Sequence, residues 1–166
     1  IMLSAETSIG KYPVQAVRMM SQIAKETETR LPYESLLRER DTWLETQTDE
    51  LISRYACHTA YRLGAVAIVA FTQSGSTARR VSKYRPQMPV LAMTPSNPIC
   101  GRLLLSWGVQ PFQTTTPASV DKLFALGAQL AKDSGLAKSG DLIVITGGIP
   151  IGVAGSTNLL KVERIH

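Results

Sequence analysis

Ala65-Val66-Ala67-Ile68-Val69-Ala70-Phe71, followed at once by Thr72-Gln73-Ser74-Gly75-Ser76-Thr77 and then by Ala78-Arg79-Arg80-Val81-Ser82-Lys83-Tyr84-Arg85, decides how this chain is read. The apolar run suits a buried strand. The last eight residues suit a basic helix that must stop at Arg85-Pro86, because proline forbids continuation. Between them, a short hydroxyl-rich turn at a helix start gathers several backbone N–H groups and three or four hydroxyls around one point. Such a point suits a phosphate, since helix N-termini carry unpaired donors and positive dipole potential. The turn is not a Walker loop: G-x-x-x-x-G-K-[ST] is absent and no lysine lies inside it. A plainer reading, a Ser/Thr cap on an ordinary α/β helix, stands beside the phosphate reading.

Outward from this stretch, strand and helix patterns alternate. Pro89 to Thr94 reads as a second strand, Pro98 to Trp107 as a helix and Val109 to Phe112 as a short strand. Ala118 to Ser134 reads as a long helix with Val120, Leu123, Phe124, Leu126, Gly127 and Leu130 on its apolar side. Asp141 to Thr146 is a buried strand, and a glycine-rich loop from Gly147 to Ser156 leads to a final strand at Leu159 to Arg164. Strands separated by helices call for βαβ crossovers. The last connection is too short for one, so the final strand should run antiparallel. The expected fold is α/β, a three-layer α/β/α sandwich with a mostly parallel five-stranded sheet. In such sheets ligands bind at the carboxyl ends of strands. The turns after Phe71 and Thr146 both lie at that end, so two remote loops can meet on one ligand.

Ahead of this region, Asp49 to Leu63 reads as an amphipathic helix. Leu51, Ile52, Tyr55, Ala56, Thr59, Ala60 and Leu63 form its stripe, with Thr48 as N-cap and Gly64 as C-terminal stop. His58 within it reads as a packed polar residue rather than a ligand. Glu26 to Glu45 has a weaker pattern, that of a connector with a short or frayed helix. Pro13 to Lys25 is helical, with Pro13 in the first turn. Ile1 to Leu3 reads as the end of a buried strand, and this abrupt opening suggests a piece of a longer polypeptide.

Composition narrows the function. The 166 residues, 44% hydrophobic and 19% charged, suit one soluble domain. The net charge of +5 fits small phosphorylated ligands. Nucleic acid is not expected, because no long Lys/Arg tract occurs and aromatics are few. Cys57 and Cys100 form no metal-ligand cluster and read as buried free thiols, so no metal site is expected. No apolar stretch is long enough to span a bilayer and no signal peptide is recognisable, so no membrane partner is expected and the cytoplasm is the expected compartment. The basic residues Arg79, Arg80, Lys83 and Arg85 read either as attraction for an anion or as a solvated helix face with Val81 and Tyr84 turned inward.

Three ordered motifs carry a family resemblance. The opening MLSAETSIGKYPVQAV resembles the pyruvate kinase segment L-S-x-E-T-x-x-G-x-Y-P-x-x-A-V. FTQSGSTARRVSKYRPQMPVLAMT is similar to its T-x-S-G-x-[ST]-x-x-x-[VI]-[SA]-[KR]-[YF]-R-P signature. GDLIVITGGIPIGVAGSTNLLKVERI resembles its terminal G-x-x-G-x-[TS]-N loop and last strand. The resemblance implies a remnant of the catalytic (β/α)8 barrel at 1–27, a connector at 28–47 and the C-terminal allosteric domain at 48–166. It also implies a phosphorylated effector, a homo-oligomer that is tetrameric in the parent, and phosphoryl transfer from phosphoenolpyruvate to ADP. By position, Thr72, Gln73, Ser74, Gly75, Ser76 and Thr77 would hold the effector phosphate, with Gly152, Val153, Ala154, Gly155 and Ser156 closing over it.

The family's metal carboxylates and catalytic lysine belong to earlier barrel strands and are absent here. The resemblance therefore implies no catalytic residue and no cofactor in this chain, with Mg2+ (or Mn2+) and K+ used by the parent. Members regulated by a sugar bisphosphate carry a Trp and an Arg near the helix after the third strand. Thr114 to Lys122 has neither, which keeps a sugar monophosphate, a ribose phosphate and AMP open as effectors. A stand-alone α/β domain binding a phosphorylated metabolite is the alternative reading, and a purely structural role in assembly a third.

Overall fold

The computed structural model describes residues 1–40 and 46–166. It divides into two units, Ile1–Pro32 and Tyr33–His166. The first holds α1 (Ala5–Ser8) and α2 (Pro13–Glu28). Pro13 occupies the first turn of α2, where its missing N–H costs nothing. The strand expected at Ile1–Leu3 is absent: these residues have no regular structure, and Ile1 and Met2 are exposed. A strand needs a neighbour for its backbone hydrogen bonds, and this unit contains no other extended segment.

The second unit begins inside the stretch read as a connector; positions 41–45 of that stretch lie outside the described residues. Its elements are α3 (Tyr33–Arg40), α4 (Thr48–Leu63), β1 (Ala67–Phe71), α5 (Ser76–Lys83), β2 (Val90–Thr94), α6 (Asn97–Leu103), β3 (Val109–Gln113), α7 (Val120–Asp133), β4 (Leu142–Gly148) and β5 (Thr157–Arg164). They form a five-stranded sheet in the order β3-β2-β1-β4-β5. Every pairing is parallel except β4 with β5, which is antiparallel as the short connection requires.

Strand alternation builds two cores. Ile68, Ala70, Val90, Ala92 and Val144 face one side and pack with Ala56, Cys57 and Ala60 of α4, Val81 of α5 and Leu37 of α3. Val69, Phe71, Leu91, Met93, Ile143 and Ile145 face the other, against Leu123 and Ala131 of α7. The result is the three-layer sandwich. Gly127 of α7 lets that helix approach closely, since a Cβ there would stand 3.2 Å from a Val69 methyl. Among the described residues no helix is long and apolar enough to cross a membrane.

Four local expectations are corrected. The buried stripe of α4 is Ser53, Ala56, Cys57 and Ala60, whereas Tyr55 and Leu63 are exposed. Small residues face the sheet because they let the helix lie close to it. The N-cap of α4 is Gln47 rather than Thr48, while Gly64 ends the helix in the left-handed conformation at φ 63°, as read. Helix α6 stops at Leu103, so Trp107 lies in the following turns and not in a helix. Cys57 is buried and free, but Cys100 is only partly buried. Burial pushes the Cys57 thiol well above its ordinary value, and it stays protonated beside the Val81 carbonyl.

Leu123 is fully buried and Leu63 is half-exposed. Leu123→Ala should therefore destabilise the domain by about 2–5 kcal/mol, and Leu63→Ala by less than about 1 kcal/mol. Urea unfolding followed by circular dichroism measures both.

Candidate functional site

The chain order of the sheet determines where a ligand can sit. From β1 the chain passes through α5 to β2 on one side, whereas β4, the neighbour of β1 on the other side, turns away to β5. Adjacent parallel strands whose exits diverge leave a crevice at their carboxyl ends. Here the two ends are Phe71 and the Gly147-Gly148 pair, in register through Ala70 and Thr146.

A cleft occupies that crevice. It is lined by Phe71, Thr72, Gln73, Ser76 and Thr77 on one wall and by Gly148, Gly152, Val153, Gly155, Ser156 and Thr157 on the other. The two remote turns singled out in the sequence do meet. The match is incomplete, however. Ser74, Gly75 and Ala154 stand outside the lining; Ala154 is exposed at the loop's outer face. Ser74 instead donates its hydroxyl to Ser76 Oγ at 3.2 Å. Gly75 caps α5 in the left-handed region at φ 83°, where a side chain would be strained and would crowd the Arg79 guanidinium and Ile99. Phe71, Gly148 and Thr157 were not anticipated. Position alone offered a signal, since Phe71 and Thr157 border the two predicted turns and Gly148 lies within the second, although the structure ends β4 there.

The cleft holds polar groups without internal partners, donors at the start of α5 and at Thr72 and an acceptor at Gln73. Helix α5 starts at Ser76, and the first N–H of the region to find a helical carbonyl is that of Arg79, bonded to Gly75 O at 3.1 Å. The amides of the first turn are thus left to caps or ligands. Thr72, 2% exposed, carries a hydroxyl with no hydrogen-bond partner, and so does the Gln73 side-chain carbonyl. Unpartnered buried polar atoms cost about 1–3 kcal/mol each.

The glycine-rich wall is held in place by its own bonds. Thr77 and Thr157 share a buried hydroxyl–hydroxyl hydrogen bond of 2.7 Å that fastens the start of α5 to the start of β5. The Asn158 amide donates to Ile149 O at 2.7 Å and accepts from Ile149 N–H at 2.9 Å, tying off the loop at its base. Ser156 donates to Val153 O at 2.9 Å within it. Gly148 is required for this path, because a Cβ would stand 2.8 Å from Ser156 O and closer still to its hydroxyl.

The basic helix face is only partly solvated. Val81 and Tyr84 are fully buried, as read. Arg80 pairs with Asp49 at 2.7 Å and Glu50 at 3.4 Å, and Lys83 pairs with Glu50 at 3.2 Å. Arg85 stacks over Trp107 at 5.0 Å, and exposed Arg79 reaches back to Ser74 O at 3.4 Å. Among the described residues no three His, Cys, Asp or Glu side chains are grouped to hold a metal ion, so no residue here is assigned to metal chemistry.

A doubly wound domain with a small polar cleft at its switch point is the class that fold and site define. Residues 50–163 match the family model described as pyruvate kinase, alpha/beta domain, and the chain belongs to that family. It is 44% identical over its whole length to a pyruvate kinase of Clostridium acetobutylicum, covering 35% of that protein. Over 99% of its length it is 42% identical to a pyruvate kinase of Geobacillus stearothermophilus, covering 28% of it. A crystal structure of a pyruvate kinase from Cryptosporidium parvum superposes on 99% of the chain with a TM-score of 0.87 at 29% identity, over 33% of that molecule. The chain thus spans about a third of the length of these relatives.

Thr77→Val should cost about 1–3 kcal/mol by leaving the Thr157 hydroxyl buried without a partner. Thr77→Val with Thr157→Val should recover most of that loss, which a double-mutant cycle in thermal unfolding measures.

Proposed function

We propose that residues 48–166 form a regulatory and oligomerisation domain of a pyruvate kinase, and that the cleft between Thr72–Thr77 and Gly152–Ser156 takes the phosphate of a small effector, a sugar phosphate or AMP. On this reading residues 1–27 belong to the catalytic barrel and 28–47 connect the two. The effector tunes transfer of phosphoryl from phosphoenolpyruvate to ADP. That reaction uses Mg2+ or Mn2+ and K+ at residues outside this chain, and the parent assembles as a homotetramer in the cytoplasm.

One observation carries the binding reading: a nearly fully buried, unpartnered Thr72 hydroxyl lies in a cleft that also receives the start of α5. A phosphate dianion offers acceptors to the Ser76 and Thr77 amides and to the hydroxyls of Thr72 and Ser76. Charge-assisted bonds of this kind contribute about 1.5–3 kcal/mol each. The glycines let backbone rather than side chain form the far wall, so the guest can be held closely.

Calorimetric titration with fructose 1,6-bisphosphate, ribose 5-phosphate, glucose 6-phosphate and AMP should give saturable binding for at least one of them. Ser76→Asp should abolish it through like-charge repulsion; unchanged affinity in a folded variant contradicts the site. A coupled lactate dehydrogenase assay on the 166-residue chain should detect no pyruvate formed from phosphoenolpyruvate and ADP. Measurable turnover would contradict the placing of catalysis elsewhere.

A further inference from the structure

The cleft has acidic neighbours on both flanks. On the α4 side a groove runs past Thr48 and Asp49 to Gly155, Ser156 and Thr157, three residues that also line the cleft. On the α5 side a second groove runs past Glu50, Arg79, Arg80 and Lys83 to Ser76, again a cleft residue. A dianion entering between the two turns therefore approaches two carboxylates whose side chains are each only 14% exposed and so are weakly screened by solvent.

Arg80 stands between those carboxylates. Its Nη2 lies 2.7 Å from Asp49 Oδ2 and its Nε 3.4 Å from Glu50 Oε1. Lys83 adds a second cation on Glu50 at 3.2 Å. These two acids and two bases balance one another, and exposed Arg79 in the same groove adds a positive charge; without Arg80 that surplus is lost and Asp49 has no cation left among these groups. Arg80 Nη1 is buried and makes no hydrogen bond, so this guanidinium is held more by charge than by a saturated set of bonds.

We propose that Arg80 is a positioning residue for the anion site: by pairing with Asp49 and Glu50 it offsets the carboxylates that flank the cleft, and acceptance of a phosphate dianion depends on it. The inference rests on the phosphate reading of the cleft and adds the group that governs the field there. It assigns Arg80 no direct contact with the ligand. The requirement is for compensated charge, which a purely structural salt bridge would not impose on binding.

Titration of the 166-residue chain with ribose 5-phosphate and with inorganic phosphate, at low and at raised ionic strength, tests it. Arg80→Met should weaken binding about tenfold at low salt, and raised salt should recover only part of the deficit, because the two carboxylates are largely buried. Arg80→Lys should stay within about threefold of the parent, because the charge is kept. Adding Asp49→Asn and Glu50→Gln to Arg80→Met should restore most of the affinity. The same two substitutions with Arg80 intact should leave binding at least as tight as in the parent, a comparison that survives if Arg80→Met fails to fold.

Equal binding by the parent and by folded Arg80→Met overturns the inference alone. So does a loss that removal of the two carboxylates does not repair, or weaker binding when they are removed with Arg80 in place. A parent chain that binds none of ribose 5-phosphate, inorganic phosphate, fructose 1,6-bisphosphate, glucose 6-phosphate and AMP removes the phosphate reading, and this inference with it.

Discussion

Two neighbouring parallel strands that send their chains in opposite directions are the constraint on which the rest of this domain depends. β1 and β4 pair along their length, then separate at Phe71 and Gly148. The polar groups at the rim must find partners outside the sheet. Part of that demand is met internally, by the Thr77–Thr157 hydroxyl pair and by the Asn158 amide on Ile149. Part is not met, and the unmet groups, Thr72 Oγ1 and Gln73 Oε1, fall on the wall of the cleft. A fold that leaves buried donors and acceptors open at one point has a physical reason to bind something there.

The helices serve this rim from both faces. α7 covers one side of the sheet through Leu123 and Ala131, drawn close by Gly127. α4 and α5 cover the other, and the first turn of α4 is joined to the last turn of α5 by the Asp49–Arg80–Glu50–Lys83 cluster. That cluster sits where a guest anion would feel it. With the acids paired, the α5 start is left unopposed in its pull on a negative ligand, whereas the acids alone would act against it.

Much of this was legible in the chain itself. The unbroken apolar run before Thr72, the stop at Arg85-Pro86 and the short span from Thr146 to the last strand identified a parallel sheet with an antiparallel edge. The convergence of the serine-rich and glycine-rich turns followed from the same topology. Less legible was anything that depended on tertiary partners. Tyr55 and Leu63 looked like core residues by spacing, but the sheet accepts only the small side chains of Ser53, Ala56 and Ala60 at that approach distance. Ile1 to Leu3 has a strand's composition and no strand beside it. The basic residues of α5 had an ambiguous pattern because their ion-pair partners lie about thirty positions earlier, a distance that periodicity does not reveal. Ser74 and Ala154 belonged to the right turns, yet side-chain direction within a turn is decided by backbone geometry that composition leaves open.

The most direct test is an amide-resolved NMR titration of the chain with inorganic phosphate, the group shared by the proposed effectors. The account predicts that backbone signals from Thr72 to Ala78 and from Gly152 to Thr157 move together, saturably and with one dissociation constant, while those of the β3 edge stay still. Movement confined to one of the two turns, or confined to surface lysines elsewhere, would contradict it.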